Sequence, residues 1–231
     1  MGYRVVFPMN SWQKRYLWSA ILFVALAYIE SAVVVYLRAL YYPQGFGFPL
    51  KEMSRLIYLS EVGREAATIV VLSAVAFLVE KTRSGRLFLF LYGFGIWDIF
   101  YYVWLKALVN WPATLLDWDV LFLIPLPWVA PVLSPVLISL LFITVAVTAN
   151  HLAARGRSFA FDLVDRLLLF AAAIAIVASF LWKTKSALAH EVPRGYPWWL
   201  WGIGVALGLG VFITRIIRSG RTESKQISPS R

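Results

Sequence analysis

Acidic side chains within apolar runs are the residues of this sequence that could do chemistry. Glu30 and Asp98 each interrupt a long apolar run, and Glu61 and Glu65 stand four residues apart at the start of another. Residues at that spacing lie on one face of a helix. Ionisable groups are costly inside a membrane and by default mark a functional site there. These four carboxylates are therefore the candidate catalytic residues, acting as acid and base or as a cation site.

Three interpretations of the carboxylates stay open at this point. They could pair with Arg38, Arg64 or Lys106 and hold helices together, since buried ion pairs are common and say little about activity. They could bind a divalent cation such as Mg²⁺, Mn²⁺ or Ca²⁺, which prefers oxygen ligands. They could also act as a proton donor or relay, because close carboxylates can share a proton.

Further side chains could contact a ligand beside the carboxylates; they are Arg38, Arg64, Tyr101, Tyr102 and Asp117. The arginines would serve as counter-charges or anion contacts. The aromatic rings could wall a pocket for a lipid head group or an isoprenoid, with cation–π contacts available. An ordinary aromatic belt at a membrane interface has the same composition, so both interpretations remain.

The composition predicts the fold class. Apolar residues make up 61% of the 231 residues and charged residues 15%, too little charge to cover the surface of a soluble domain. We therefore expect an all-α, polytopic transmembrane helical bundle of about six spanning helices. The net charge of +10 lies in short basic clusters between apolar runs, so it reflects membrane topology and predicts no nucleic-acid binding.

Spanning helices need about 20 mostly apolar residues. Six segments satisfy this requirement or nearly do: 16–37, 56–79, 87–105, 128–148, 159–182 and 198–217. In the second, the uninterrupted apolar run 66–79 is too short to span, so Arg64 and Glu65 must belong to the helix. We expect the first segment to be an uncleaved helix. Residues 1–217 are predicted to form one transmembrane domain, and 218–231 a polar, disordered cytoplasmic tail.

The distribution of lysine and arginine predicts the orientation. Thirteen basic residues fall on the side of the N-terminus and eight on the other side. The positive-inside rule then places both termini in the cytoplasm, in the inner membrane of a prokaryote. Under this topology eight titratable residues lie toward the outer face: Glu30, Glu61, Glu65, Asp98, Asp117, Asp119, His190 and Glu191.

The stretch from Leu121 to Pro135 has four prolines and no charge. Proline breaks or kinks a helix, and irregular backbone at membrane depth must be buried in protein or line a wet cavity. We expect residues 121–128 to form either a short re-entrant element or an apolar connector at the outer interface.

Several classes of chemistry are excluded. The chain has no cysteine, which removes disulfides, thiolate metal sites and cysteine nucleophiles. Its two histidines, His151 and His190, fall on opposite sides of the predicted membrane and cannot jointly bind haem. The sequence has no motif for flavin or nucleotide, so a divalent cation is the cofactor that we keep open.

Small residues predict a contact face on the last helix. Gly204 and Gly208 form a small-xxx-small pair, which permits a close approach by a partner membrane subunit or a second copy of the chain. The sequence as a whole leaves three functional classes. The first is a protein with an outer carboxylate site for a cation, proton or lipid-like ligand, which could be a membrane-embedded enzyme. The second is an accessory or scaffold subunit of a membrane complex, and the third is a proton- or cation-coupled transporter. Apolar inner halves of the helices disfavour the transporter.

Overall fold

The computed structural model describes residues 10–157 and 161–227, with side chains through residue 219. Helices make up 72% of it, and six of them are long and apolar enough to cross a membrane, which confirms that part of the prediction. The elements in chain order are α1 (Ser11–Tyr41), α2 (Arg55–Val79), α3 (Arg83–Val109), β1 (Trp118–Phe122), β2 (Trp128–Pro131), α4 (Leu133–Ala153), α5 (Leu163–Leu181), α6 (Thr184–Leu188) and α7 (Trp198–Ile227).

Short polar side chains begin several of these helices. The Ser54 hydroxyl accepts a hydrogen bond from the Ile57 amide at the start of α2, and Thr82 does the same for Gly85 at the start of α3. Such N-caps satisfy amides that have no partner within the helix. Asn110, in the left-handed conformation, ends α3.

Helix α3 lies at the centre of the bundle. It packs against α1, α2 and α4, whereas α5 packs mainly against α7. Two glycines of α3 permit this close packing: a Cβ atom on Gly93 would lie 2.5 Å from the Phe23 ring, and one on Gly95 would lie 2.6 Å from the carbonyl oxygen of Ser139. Phe23, Leu72 and Leu89 fill the core around α3.

The outward faces of the long helices remain apolar. Leu78 is 86% exposed, Leu40 is 71% exposed and Phe170 is 66% exposed. Exposed apolar surface on this scale needs an apolar environment, and the six long helices are those expected of a multi-pass membrane protein.

A β-hairpin replaces the element that we expected at 121–128. Strands β1 and β2 pair antiparallel, with Trp118 opposite Pro131 and Val120 opposite Val129. The fourth helix therefore begins at Leu133 and not at 128. Prolines stop the helix here, and the aromatic and β-branched side chains between them favour paired strands. We call the end of the bundle that carries this hairpin the sheet end.

Helix α7 continues to Ile227, past the predicted end of the span at 217. Residues 228–231 of the predicted tail lie outside the described residues. At the end of the bundle away from the sheet, Arg215 of α7 pairs with Asp162 and Asp165 at the start of α5. Asp162 also caps α5 by accepting from the Asp165 amide.

The predicted glycine face divides into two parts. A Cβ atom on Gly204 would lie 2.7 Å from a side-chain carbon of Ile176 and 2.8 Å from the carbonyl oxygen of Ala172, so α5 already occupies this position. Gly202, Gly208 and Gly210 have no neighbour within 4 Å of a Cβ atom among the described residues. Contact with a partner subunit or a second copy stays a prediction for that open part.

We expect Gly204→Ala to lower the free energy of unfolding by about 2 kcal/mol, because overpacking against a backbone carbonyl forces α5 and α7 apart. Gly208→Ala is the matched control and should cause no loss, since its new methyl group meets no atom of the described chain. Thermal unfolding in detergent measures both. Equal losses in the two variants would contradict this packing.

Candidate functional site

A cavity of about 140 Å³ lies at the sheet end. Its lining comes from α1, α2, α3, the loop between α1 and α2, and the hairpin. The charged lining residues are Glu30, Arg38, Lys51, Glu61, Arg64, Glu65, Asp98 and Asp119; the aromatic ones are Tyr41, Tyr42, Phe46, Trp97, Tyr101 and Tyr102. Helical spacing explains part of this set, because Glu61, Arg64 and Glu65 lie within about one turn of α2.

Arg64 joins two of the carboxylates. Its guanidinium pairs with Glu30 of α1, and its Nε and Nη2 atoms donate to Oε2 of Glu61 over 3.0 and 2.8 Å. Thr68 donates to the other oxygen of Glu30 over 3.1 Å. Both carboxylates are buried, so Arg64 compensates two charges that would be costly alone.

Arg38 and Asp119 form a second ion pair, nearer the hairpin. Nη2 of Arg38 lies 3.5 Å from Oδ1 of Asp119, and the Tyr102 hydroxyl donates to Oδ2 over 3.2 Å. The guanidinium packs against the rings of Phe46 and Trp111, 4.3 and 3.8 Å from their centroids. Burial raises the pKa of Asp119 to about 6, although Arg38 and Tyr102 act in the opposite direction.

Glu65 and Asp98 have neutral hydrogen-bond donors. The Leu123 amide donates to Glu65 over 2.8 Å, and the Ser139 hydroxyl donates to Asp98 over 2.8 Å. Neither carboxylate belongs to an ion pair in the described part of the chain, although both are buried. These two side chains therefore give the cavity two acidic groups that no cation of the described residues pairs with.

Apart from Nη1 of Arg64, which contacts Glu30, two buried donors of the lining lack an acceptor in the described residues. They are Nη1 of Arg38 and Nε1 of Trp97. The side chain of Arg38 is 9% exposed and Trp97 is 6% exposed. Buried polar groups are normally hydrogen-bonded, so both atoms are available to an acceptor on a ligand.

The cavity brings together eight of the nine side chains that the sequence singled out. Glu30, Glu61, Glu65, Asp98, Arg38, Arg64, Tyr101 and Tyr102 all line it. Whether they act in catalysis or binding stays a prediction. Lys106, offered as a counter-charge, instead donates to the carbonyl oxygen of Pro112 over 2.9 Å.

Asp117 is the exception. It does not line the cavity, and its side chain accepts hydrogen bonds from the amide of Ala113 and the hydroxyl of Thr114, both over 2.7 Å. Its role is to close a turn before β1. Asp119 lines the cavity, where we expected Asp117. The apolar residues that follow Asp119 in β1 were the signal for its burial.

The described residues contain no group of three histidine, aspartate or glutamate side chains that could hold a metal ion. Arg64 stands between Glu30 and Glu61, and Arg38 pairs with Asp119, so three of the five carboxylates that line the cavity already contact an arginine. Comparison with protein-family models, curated proteins and solved structures gave no match for the chain.

We expect Arg64→Gln to lower the free energy of unfolding by about 3 kcal/mol, because it leaves Glu30 and Glu61 buried without a cation. Changing both glutamates to glutamine in the same protein should restore part of this loss. Arg55→Gln, at the exposed start of α2, is the control. A loss for Arg55→Gln as large as that for Arg64→Gln would show that the ion pairs are not its cause.

The Asp119 carboxyl should make stability depend on pH. Because its pKa is about 6 in the folded chain and near 3.8 ordinarily, the folded state holds the proton more tightly between these values. The contribution of this carboxyl group to the free energy of unfolding is therefore present at low pH and is lost as the pH rises through 6. The melting temperature of Asp119→Asn relative to the parent should rise between pH 4.5 and pH 7.5. A constant difference would refute the assignment.

Proposed function

We propose that the cavity binds a small organic ligand carrying a cationic amino group, at the outer face of a multi-pass protein of the prokaryotic inner membrane. The observation that carries the proposal is the pair Glu65 and Asp98, which line the cavity without an ion-pair partner among the described residues. A primary ammonium group has three N–H donors and a positive charge, which match two carboxylates and several hydroxyl groups.

The charge of the whole lining supports the same ligand class. Five carboxylates face two arginines and one lysine. A cationic group would reduce this excess of negative charge, and the rings of Trp97, Tyr101 and Tyr102 add a cation–π surface. A ligand bound between Glu65 and Asp98 would also lie beside two groups that can give and take a proton. The proposal therefore includes acid–base chemistry on the ligand, with these two residues as the catalytic pair.

The packing beneath the cavity favours binding over transport. Phe23, Leu72 and Leu89 form a fully buried apolar core there. A transporter needs a polar path that continues to the other face. An accessory subunit is the alternative, and the observation in its favour is that Gly208, on the same face of α7 as Gly204, has no neighbour within 4 Å of a Cβ atom among the described residues.

The test compares ethanolamine with ethylene glycol, which has a hydroxyl group in place of the ammonium group. We expect detergent-purified full-length protein to bind ethanolamine and to bind ethylene glycol at least tenfold more weakly, measured by titration calorimetry at pH 7.5. Glu65→Gln and Asp98→Asn should each weaken ethanolamine binding about tenfold, the effect of losing one hydrogen bond to a charged group.

Glu191→Gln is the control, since Glu191 is exposed and lies outside the cavity lining. Its affinity for ethanolamine should equal that of the parent. Equal affinity for the two ligands, or unchanged ethanolamine binding in both Glu65→Gln and Asp98→Asn, would exclude an amine site here.

A further inference from the structure

The cavity contains a second kind of binding group, which an amine does not use. Nη1 of Arg38 and Nε1 of Trp97 are buried donors that lack an acceptor in the described residues. Each belongs to a side chain that is at least nine-tenths buried and lines the cavity. An ammonium group brings only further donors. These two atoms therefore require a ligand with an acceptor of its own.

The position of Arg38 is set before any ligand arrives. The rings of Phe46 and Trp111 pack against the guanidinium, and the Asp119 carboxylate lies 3.5 Å from its Nη2 atom. This arrangement leaves Nη1 on a fixed side chain. Prepositioned donors bind more tightly because less conformational entropy is lost on binding.

Lys51 adds a second positive charge to the lining. Its backbone amide donates to the Tyr42 hydroxyl over 2.7 Å, and its ammonium group lies 5.5 Å from the centroid of the same ring. The side chain is exposed, so Lys51 stands where the cavity opens to solvent. Arg38 near the end of α1 and Lys51 in the following loop thus offer positive charge, whereas Glu65 of α2 and Asp98 of α3 offer negative charge.

We propose that the ligand is a zwitterion with phosphoethanolamine chemistry, whose phosphate binds Arg38 and Lys51 while its ammonium group binds Glu65 and Asp98. This inference rests on the proposed function. A tetrahedral phosphate presents oxygens in several directions, which suits donors on Arg38, Lys51 and Trp97, whereas a carboxylate is planar. The volume of about 140 Å³ is below the 300–1,000 Å³ typical of drug-sized ligands, so it fits a head group and not a whole lipid.

Titration of the full-length protein with O-phosphoethanolamine and with ethanolamine tests the phosphate contact. We expect O-phosphoethanolamine to bind at least tenfold more tightly, since hydrogen bonds to a charged group are the stronger kind. Lys51→Gln should reduce this ratio several-fold, and Arg38→Gln combined with Asp119→Asn should bring it close to one. The double change avoids leaving Asp119 buried without its partner. Lys51→Gln changes an exposed side chain and keeps the test decisive if the double variant does not fold.

Arg55→Gln is the control for general loss of positive charge at this end, and it should leave the ratio unchanged. Equal affinities for the two compounds in the parent protein would overturn this inference but leave the amine site intact. Binding of neither compound would overturn both.

The phosphate could come from a lipid or from a soluble compound, and nanodiscs distinguish the two sources. If phosphatidylethanolamine occupies the cavity, adding it to phosphatidylglycerol nanodiscs should weaken the apparent binding of free O-phosphoethanolamine. If the ligand is soluble, the lipid should have no effect. Either result, together with the tenfold preference, supports the zwitterion.

Discussion

The ion pairs of Arg64 are the interaction on which the rest of the site depends. Helices α1 and α2 each pack mainly against α3 and have little direct contact with each other. Arg64 connects them by pairing with Glu30 on α1 while holding Glu61 on its own helix. Without this guanidinium two buried carboxylates would repel each other. The spacing between α1 and α2, and with it the width of the cavity, follows from this arrangement.

Charge is distributed so that each buried ionic group has a specific neighbour. Arg64 and Arg38 each neutralise carboxylates by contact, while Glu65 and Asp98 rely on a backbone amide and a hydroxyl group. Structural ion pairs and free acidic groups therefore occur in one cavity. Pairing, the first of the three interpretations of the acidic residues, thus explains Glu30 and Glu61, whereas a role of Glu65 and Asp98 toward a cation, a proton or another ligand stays a prediction.

Much of the fold could be predicted because a spanning helix has a simple requirement of length and apolarity. The apolar run at 66–79 was too short, which correctly brought Glu65 into α2. The hairpin was missed because an apolar, proline-rich stretch carries neither the helical nor the strand periodicity. Asp117 and Asp119 could not be told apart either. They differ in burial only through the turn at Thr114 and the strand that follows, both of which depend on tertiary contacts.

The ion pairs between different elements of the site could not be predicted from the sequence, because they too depend on tertiary contacts. Arg38 and Asp119 are far apart along the chain and meet because α1 packs against α3, whose Tyr102 donates a hydrogen bond to Asp119 of the hairpin. Helix order around a bundle has no local signal in the sequence. By contrast, Glu61 and Arg64 lie three residues apart on one helix, and that contact follows from helical geometry alone.

Ser139 of α4 contacts α3 through two of its atoms, so that a shift of one contact moves the other. Its carbonyl oxygen lies against Gly95 of α3, and its hydroxyl group donates a hydrogen bond to Asp98, one turn further along α3. The distance between α3 and α4 and the orientation of the Asp98 carboxylate therefore depend on each other. A larger residue at position 95 would shift Ser139 and with it the Asp98 carboxylate, although residue 95 itself does not line the cavity.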